Sequence, residues 1–349
     1  MPEILTGPAL YAFVRALPKA ELHVHLVGSA SLPTVLTLAG RRPSAGVPTE
    51  PAALADFFTY QDFPHFLKVY AAVSSLVRDG RDIHTLVTGL AADLAAQNAR
   101  YAEVTVTPYS HLRAGMPGDE LLTGLATGCA AALAEHGVEL AWCFDIPGED
   151  GLEAAEETTV FALRERPDGL VSLGLGGPEL GVGRAQFAPY FTRAREAGLH
   201  SVPHAGETTG PATIWSALHD LGAERIGHGT SCTDDPALLN YLALHRIPLE
   251  VCPTSNVATR QVPSLAGHPI RRMLDHGVLV TLNTDDPPMF GATLNGEYAA
   301  VAEALGLATT EVARLAANAV NASFMSAGRK TELTAEIQRM MLQDPSSFA

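Results

Sequence analysis

The run Val278-Leu279-Val280-Thr281-Leu282-Asn283-Thr284-Asp285-Asp286 decides how this chain folds. Five apolar or β-branched residues pass without alternation into a polar corner, the pattern of a strand buried on both faces of a parallel sheet. Short β-rich runs that stop at polar or Gly-containing corners recur outward from it, and strands are expected near residues 21–25, 101–107, 139–145, 170–175, 199–204, 225–228, 247–252 and 278–283. Ala/Leu-rich segments of helical period separate them, so eight β/α alternations result. That count predicts an α/β fold, a (β/α)8 TIM-type barrel, with a doubly wound sheet as the alternative.

A barrel of this kind needs about 250 residues, and the 349 present leave a surplus. Extra helices are expected after strand 1, in an insertion at about residues 31–100 that includes helices over 51–58 and 63–77. The rest falls in the C-terminal part, around 294–305 and 309–323, each opened by a Thr or Asn cap. Residues 41–51 read as an exposed loop, 344–349 as a frayed end, and 1–349 as a single domain. The longest uncharged apolar stretch, 121–134, is too short for a bilayer and reads as a buried helix.

Lys+Arg of 23 against Asp+Glu of 38 gives a net charge of −15, a field that repels nucleic acid and anionic membrane surfaces, so neither is expected as a partner. Four cysteines with no C-x-x-C pair fit a reducing cytoplasm, and the N-terminal stretch lacks the pattern of a signal peptide. Oligomeric state leaves no mark in the sequence.

Nearly every expected strand ends in a residue capable of chemistry. His23 and His25 end the first, His204 the fifth, His228 the sixth, and Asp285 with Asp286 follows the eighth. In a parallel barrel these ends share the C-terminal face, where catalytic groups sit. His23 and His25, two apart, point to the same side of their strand. With His204 and Asp285 they make three nitrogens and one oxygen, a set that suits Zn2+ with a position left for water. The only lysines, Lys19, Lys68 and Lys330, lie far from strand 4, so no lysine bridges a second metal there and one zinc per chain is expected. Glu207 falls where the fifth strand turns into its loop; the alternative is a solvent-facing helix N-terminal acid. His228 sits between glycines that let a ligand approach, with a satisfied core histidine as the alternative.

Five stretches carry a resemblance, in order. They are Leu17-Pro18-Lys19-Ala20-Glu21-Leu22-His23-Val24-His25-Leu26, His204-Ala205-Gly206-Glu207, Gly227-His228-Gly229, Cys252-Pro253-Thr254-Ser255-Asn256 and Asn283-Thr284-Asp285-Asp286-Pro287. Together they resemble the adenosine deaminase family of zinc aminohydrolases. The H-x-E and P-C-x-x-C signature of the other zinc deaminases is absent. The resemblance implies zinc on His23, His25, His204 and Asp285, where it lowers the pKa of a bound water. It further implies that His228 orients that water, that a protonated Glu207 serves purine N1, and that Asp286 accepts from a protonated N7 or shuttles a proton, so that C6 loses ammonia. The Gly177 N–H resembles the family's donor to purine N3, and Phe57, Phe58 and Phe63 resemble its apolar lid, with helix core as the alternative.

One departure bears on the substrate. Adenosine-specific members carry a ribose-binding aspartate two residues after the second metal histidine, and Val27 stands there. A lost hydrogen-bond acceptor of this kind shifts discrimination about ten- to a hundredfold. The expected substrate is thus adenosine or a 5′-substituted adenosine, with 6-aminodeoxyfutalosine or free adenine as alternatives. A hydrolase acting on another ring or ester, and an inactive deaminase-like binding protein, are the competing classes.

Overall fold

The computed structural model describes residues 4–60 and 63–342. Eight parallel strands run in sequence order: β1 (Lys19–His25), β2 (Ala99–Val106), β3 (Glu139–Pro147), β4 (Leu170–Gly176), β5 (His200–Ala205), β6 (Ile226–His228), β7 (Leu249–Val251) and β8 (Val280–Leu282). A parallel bridge between Val24 and Asp285 closes the ring. Its hydrogen bonds run from Asp285 N to His23 O at 2.9 Å and from His25 N to Asp285 O at 3.0 Å. The expected eight-strand barrel is therefore observed, and the doubly wound alternative is not.

The barrel interior is packed and partly polar. Arg225, immediately before β6, sits between two carboxylates, donating to Glu250 on β7 at 2.6 Å and to Glu103 on β2. All three side chains are buried, and such a group is tolerated only when every charge is paired. The N-terminal end is sealed by the chain's C-terminal part. Arg225 also donates to Ala322 O at 2.9 Å, and Phe324 N donates to Glu103 at 2.6 Å. The Phe324 ring lies over the Arg225 guanidinium at 4.0 Å and stacks on His200, the first residue of β5, at 3.7 Å.

Between β1 and β2 lie the helices Leu32–Arg41, Pro51–Phe57, Phe63–Ser74 and Gly80–Ala96. After β8 come Leu294–Leu305 and Thr309–Ala322 near their expected bounds, then Ala327–Met341, which no apolar periodicity marks in advance. The reason is composition: that last helix is mostly polar and buries only Leu333, Ile337 and Met340. The segment 41–51 is the mostly exposed loop expected, anchored at its start where Arg41 and Arg42 pair with the buried Asp82 at 2.9 and 2.6 Å, and carrying a 3-10 turn at Pro43–Ala45. Two expectations are corrected. Thr293 caps its helix as expected, but the next is preceded by Ala308, whose N–H donates to Glu311 at 2.9 Å. The stretch 121–134 spans the helix Gly118–Ala131 and the turn after it, and it buries only one face. Residues 344–349 lie outside the described residues. Among the described residues no helix is long and apolar enough to cross a membrane.

Candidate active site

Four imidazoles converge at the C-terminal mouth. The His23 ring lies 5.5 Å from His25, 4.5 Å from His204 and 4.8 Å from His228, centre to centre. Ligand atoms of His23, His25 and His204 all fall within 4.8 Å of one another. Asp285 Oδ1 is 3.3 Å from His25 Nε2 and 3.7 Å from His23 Nε2. The barrel-closing bonds explain this proximity, since the backbone of Asp285 is itself the strand partner of β1.

The donor chemistry fits a divalent ion. His23 Nε2 and His204 Nδ1 are buried without a hydrogen-bond partner among the described residues. Burial, followed by neighbouring imidazoles, holds His204 well below the usual histidine range, so it stays neutral and able to ligate. His23 Nδ1 lies 3.0 Å from Glu250, which directs Nε2 into the cluster as carboxylate partners of ligating histidines do. Burial opposes ionisation of Asp285, but the His25 contact and the surrounding imidazoles outweigh it and keep the carboxyl well below its ordinary range. Ser255 Oγ fixes the other oxygen at 2.6 Å. Cys252 approaches His23 and His228, but burial holds its thiol well above the usual range and protonated, which favours the set containing Asp285.

His228 is oriented by a relay. Ile270 N donates to His268 Nδ1 at 3.3 Å, which leaves His268 Nε2–H to donate to Asn256 Oδ1 at 3.3 Å. Asn256 Nδ2 then donates to His228 Nδ1 at 3.2 Å. A backbone amide thus assigns the His228 proton to Nε2, which faces Glu207 Oε2 at 3.7 Å and Asp285 Oδ2 at 4.0 Å. His228 and Asp285 both adopt left-handed backbone, φ 60° and 66°, a conformation unusual for non-glycine residues and often stored at functional sites.

Glu207 is positioned by a residue that sequence reasoning missed. The buried Glu179 accepts from Gly206 N at 3.1 Å and Glu207 N at 3.0 Å, while Arg184 holds His204 O at 3.0 and 3.1 Å. Burial raises the Glu207 carboxyl pKa, and the Asp285 charge adds to this against the pull of His228. Asp286 is raised by burial and then by Asp285. Its Oδ1 is buried without a hydrogen-bond partner among the described residues and lies 1.4 Å from where a Cβ on Gly28 would stand, so a side chain there would displace it. Val27 is buried in the same turn, next to Gly28.

Gly177 sits exposed after β4 with φ +77°. Phe57 packs edge to face on Phe58, 6.2 Å between centres, and both are half-buried; the Phe63 side chain lies outside the described residues. Further aromatic groups are tied to the mouth. Phe66 stacks on Phe290 at 5.1 Å, and the phenols of Tyr60 and Tyr70 are pushed up by burial and then by the Asp286 charge. Asp145, at the end of β3, is also buried here and accepts from Thr107 at 2.6 Å. Asp145 and Thr107 end expected strands, and Glu250 is the one charge inside expected strand 247–252, so each carried a readable signal. Tyr60 and Tyr70, on inserted segments, carried none.

The family model for adenosine deaminase matches residues 18–340. The aminodeoxyfutalosine deaminase of Streptomyces avermitilis is 57% identical over 334 residues, covering 95% of this chain and 93% of that protein. The adenine deaminase of Cupriavidus necator is 37% identical over 344 residues, covering 97% and 96%. Among solved structures, the adenine deaminase of Arthrobacter aurescens superposes with a TM-score of 0.88 at 30% identity, covering 93% of this chain and 98% of that one. With the family match spanning nearly the whole barrel, the chain belongs to the adenosine deaminase family, hydrolytic deaminases of the amidohydrolase superfamily.

Proposed function

We propose that this enzyme removes the C6 amino group of a 6-aminopurine nucleoside bearing a substituent on its 5′ carbon, as aminodeoxyfutalosine does. It acts as one domain in the reducing cytoplasm, with one zinc ion per chain on His23, His25, His204 and Asp285. The observation that carries the reading is the convergence of Glu207 and His228 on that four-donor centre. The 5′ preference draws on Val27, which offers no acceptor beside the sugar, and on the likeness to the Streptomyces avermitilis protein. Free adenine is the second reading, favoured by the likeness to the Cupriavidus necator enzyme.

When bound, the ion supplies Lewis acidity that makes a water molecule nucleophilic near neutral pH. The chain's own groups do the rest. Protonated Glu207 donates to purine N1 and passes its proton there, so that addition of water at C6 forms a neutral ring adduct rather than a ring anion. His228 Nε2–H orients the attacking oxygen and stabilises the charge on it. Asp286 holds N7 or carries a proton toward the amino group, the C6–N bond breaks, and ammonia departs. The Gly177 N–H holds N3 and so fixes the ring's orientation, while Phe57 belongs to the apolar cover of the site.

The test is incubation of a 5′-substituted adenosine in heavy-oxygen water. The reading expects one ammonia per product and the label on C6. Unlabelled product, or cleavage elsewhere with no ammonia, overturns it.

A further inference from the structure

We propose that Glu149 binds the ribose hydroxyls of the substrate, supplying from the β3 loop the acceptor that Val27 lacks. This rests on the reading of the site as a 6-aminopurine nucleoside deaminase. Glu149 lies in the short turn Gly148–Asp150 that leaves β3 at the barrel mouth. Its carboxylate is seated on Gly177: a Cβ built there would stand 1.9 Å from Glu149 Oε2 and 3.2 Å from Oε1. If the Gly177 N–H serves purine N3, a group lying against its α-carbon faces the sugar edge of the base, because N3 and the sugar-bearing N9 are joined through a single ring carbon.

The carboxylate lies over Gly177 at the mouth and accepts a hydrogen bond from its own backbone N–H. Its negative charge acts on the Tyr70 phenol, which also feels Asp285 and Asp286, and the Asp145 charge acts on Glu149 in turn. Among the described residues, no other residue donates a hydrogen bond to it, and it is exposed where a substrate would cover it. A carboxylate is acceptor-only with two oxygens, and vicinal hydroxyls are two donors on neighbouring carbons, so the chemistries match. The geometry also accounts for Gly177 independently of its N–H, since any side chain there would displace Glu149.

The experiment compares wild-type, Glu149→Gln and Glu149→Ala zinc enzyme on adenosine, 2′-deoxyadenosine and 3′-deoxyadenosine, with calorimetric binding of inosine and its two deoxy counterparts. Glu149→Ala is expected to raise KM for adenosine and Kd for inosine about ten- to a hundredfold. It should leave kcat nearly unchanged and penalise at least one deoxy compound by less than about threefold, because the hydroxyl that Glu149 would hold is already gone. Equal losses on all three ligands, or no loss on any, overturn the proposal. Wild-type enzyme that binds inosine but releases no ammonia overturns the deaminase reading instead, and the calorimetric comparison still decides the role of Glu149.

Discussion

Glu207 carries the sharpest consequence of any single residue. Burial raises its pKa, and the proton so retained is the one that the proposed mechanism delivers to N1. The sign follows directly: activity needs the protonated form, so kcat/KM declines as pH rises through the Glu207 pKa and is unaffected by that group below it. Glu207→Gln should bind zinc normally, as metal analysis checks, yet lose about 10²–10⁴ in kcat, the range for a positioned acid–base group. Near wild-type turnover would remove Glu207 from the chemistry. Val27→Asp restores an acceptor beside the sugar and should raise adenosine relative to 5′-substituted substrates about ten- to a hundredfold in kcat/KM. An unchanged ratio would show that Val27 does not face the sugar.

Elements explain why these residues meet. The turn after β1 presses Gly28 onto Asp286, so Gly28→Ala must displace that carboxylate. It is expected to keep zinc content while lowering kcat at least tenfold, as a misplaced catalytic group does; metal analysis beside steady-state rates distinguishes this from loss of the metal site. Strand ends were the legible part of the molecule. Residues 278–283 announce a buried strand by an apolar run and 21–25 by alternation of apolar and polar residues, and a parallel barrel turns the strand ends into a single rim, which groups His23, His25, His204, His228 and Asp285 from sequence alone. Supporting residues were harder to read because their partners are set by packing across the barrel. His268 lies twelve residues from Asn256 and forty from His228, yet its backbone-fixed tautomer decides which His228 nitrogen carries a proton. Glu179 holds the β5 loop from the loop that follows β4, and no local pattern marks it.

Across the whole molecule, the proposed metal centre and the closed barrel share residues. Asp285, assigned above to the donor set, pairs with β1, and His23 leans on Glu250, which leads through Arg225 to the C-terminal plug at Phe324. Chelation should therefore lower the thermal midpoint as well as abolish turnover, and zinc at about a hundred times its Kd should restore about 2.7 kcal/mol of stability. Thermal melts with and without chelator check this; a melt indifferent to zinc would mean that the four donors hold no ion. The central claim, that this site deaminates a 5′-substituted 6-aminopurine nucleoside, is tested most directly by kcat/KM for a 5′-substituted adenosine, adenosine and adenine on the same zinc-loaded preparation, read as ammonia release. The account predicts that the 5′-substituted nucleoside exceeds adenosine by about tenfold or more and that adenine is poorer than either. Adenine as the preferred substrate, or no ammonia from any of the three, would contradict it.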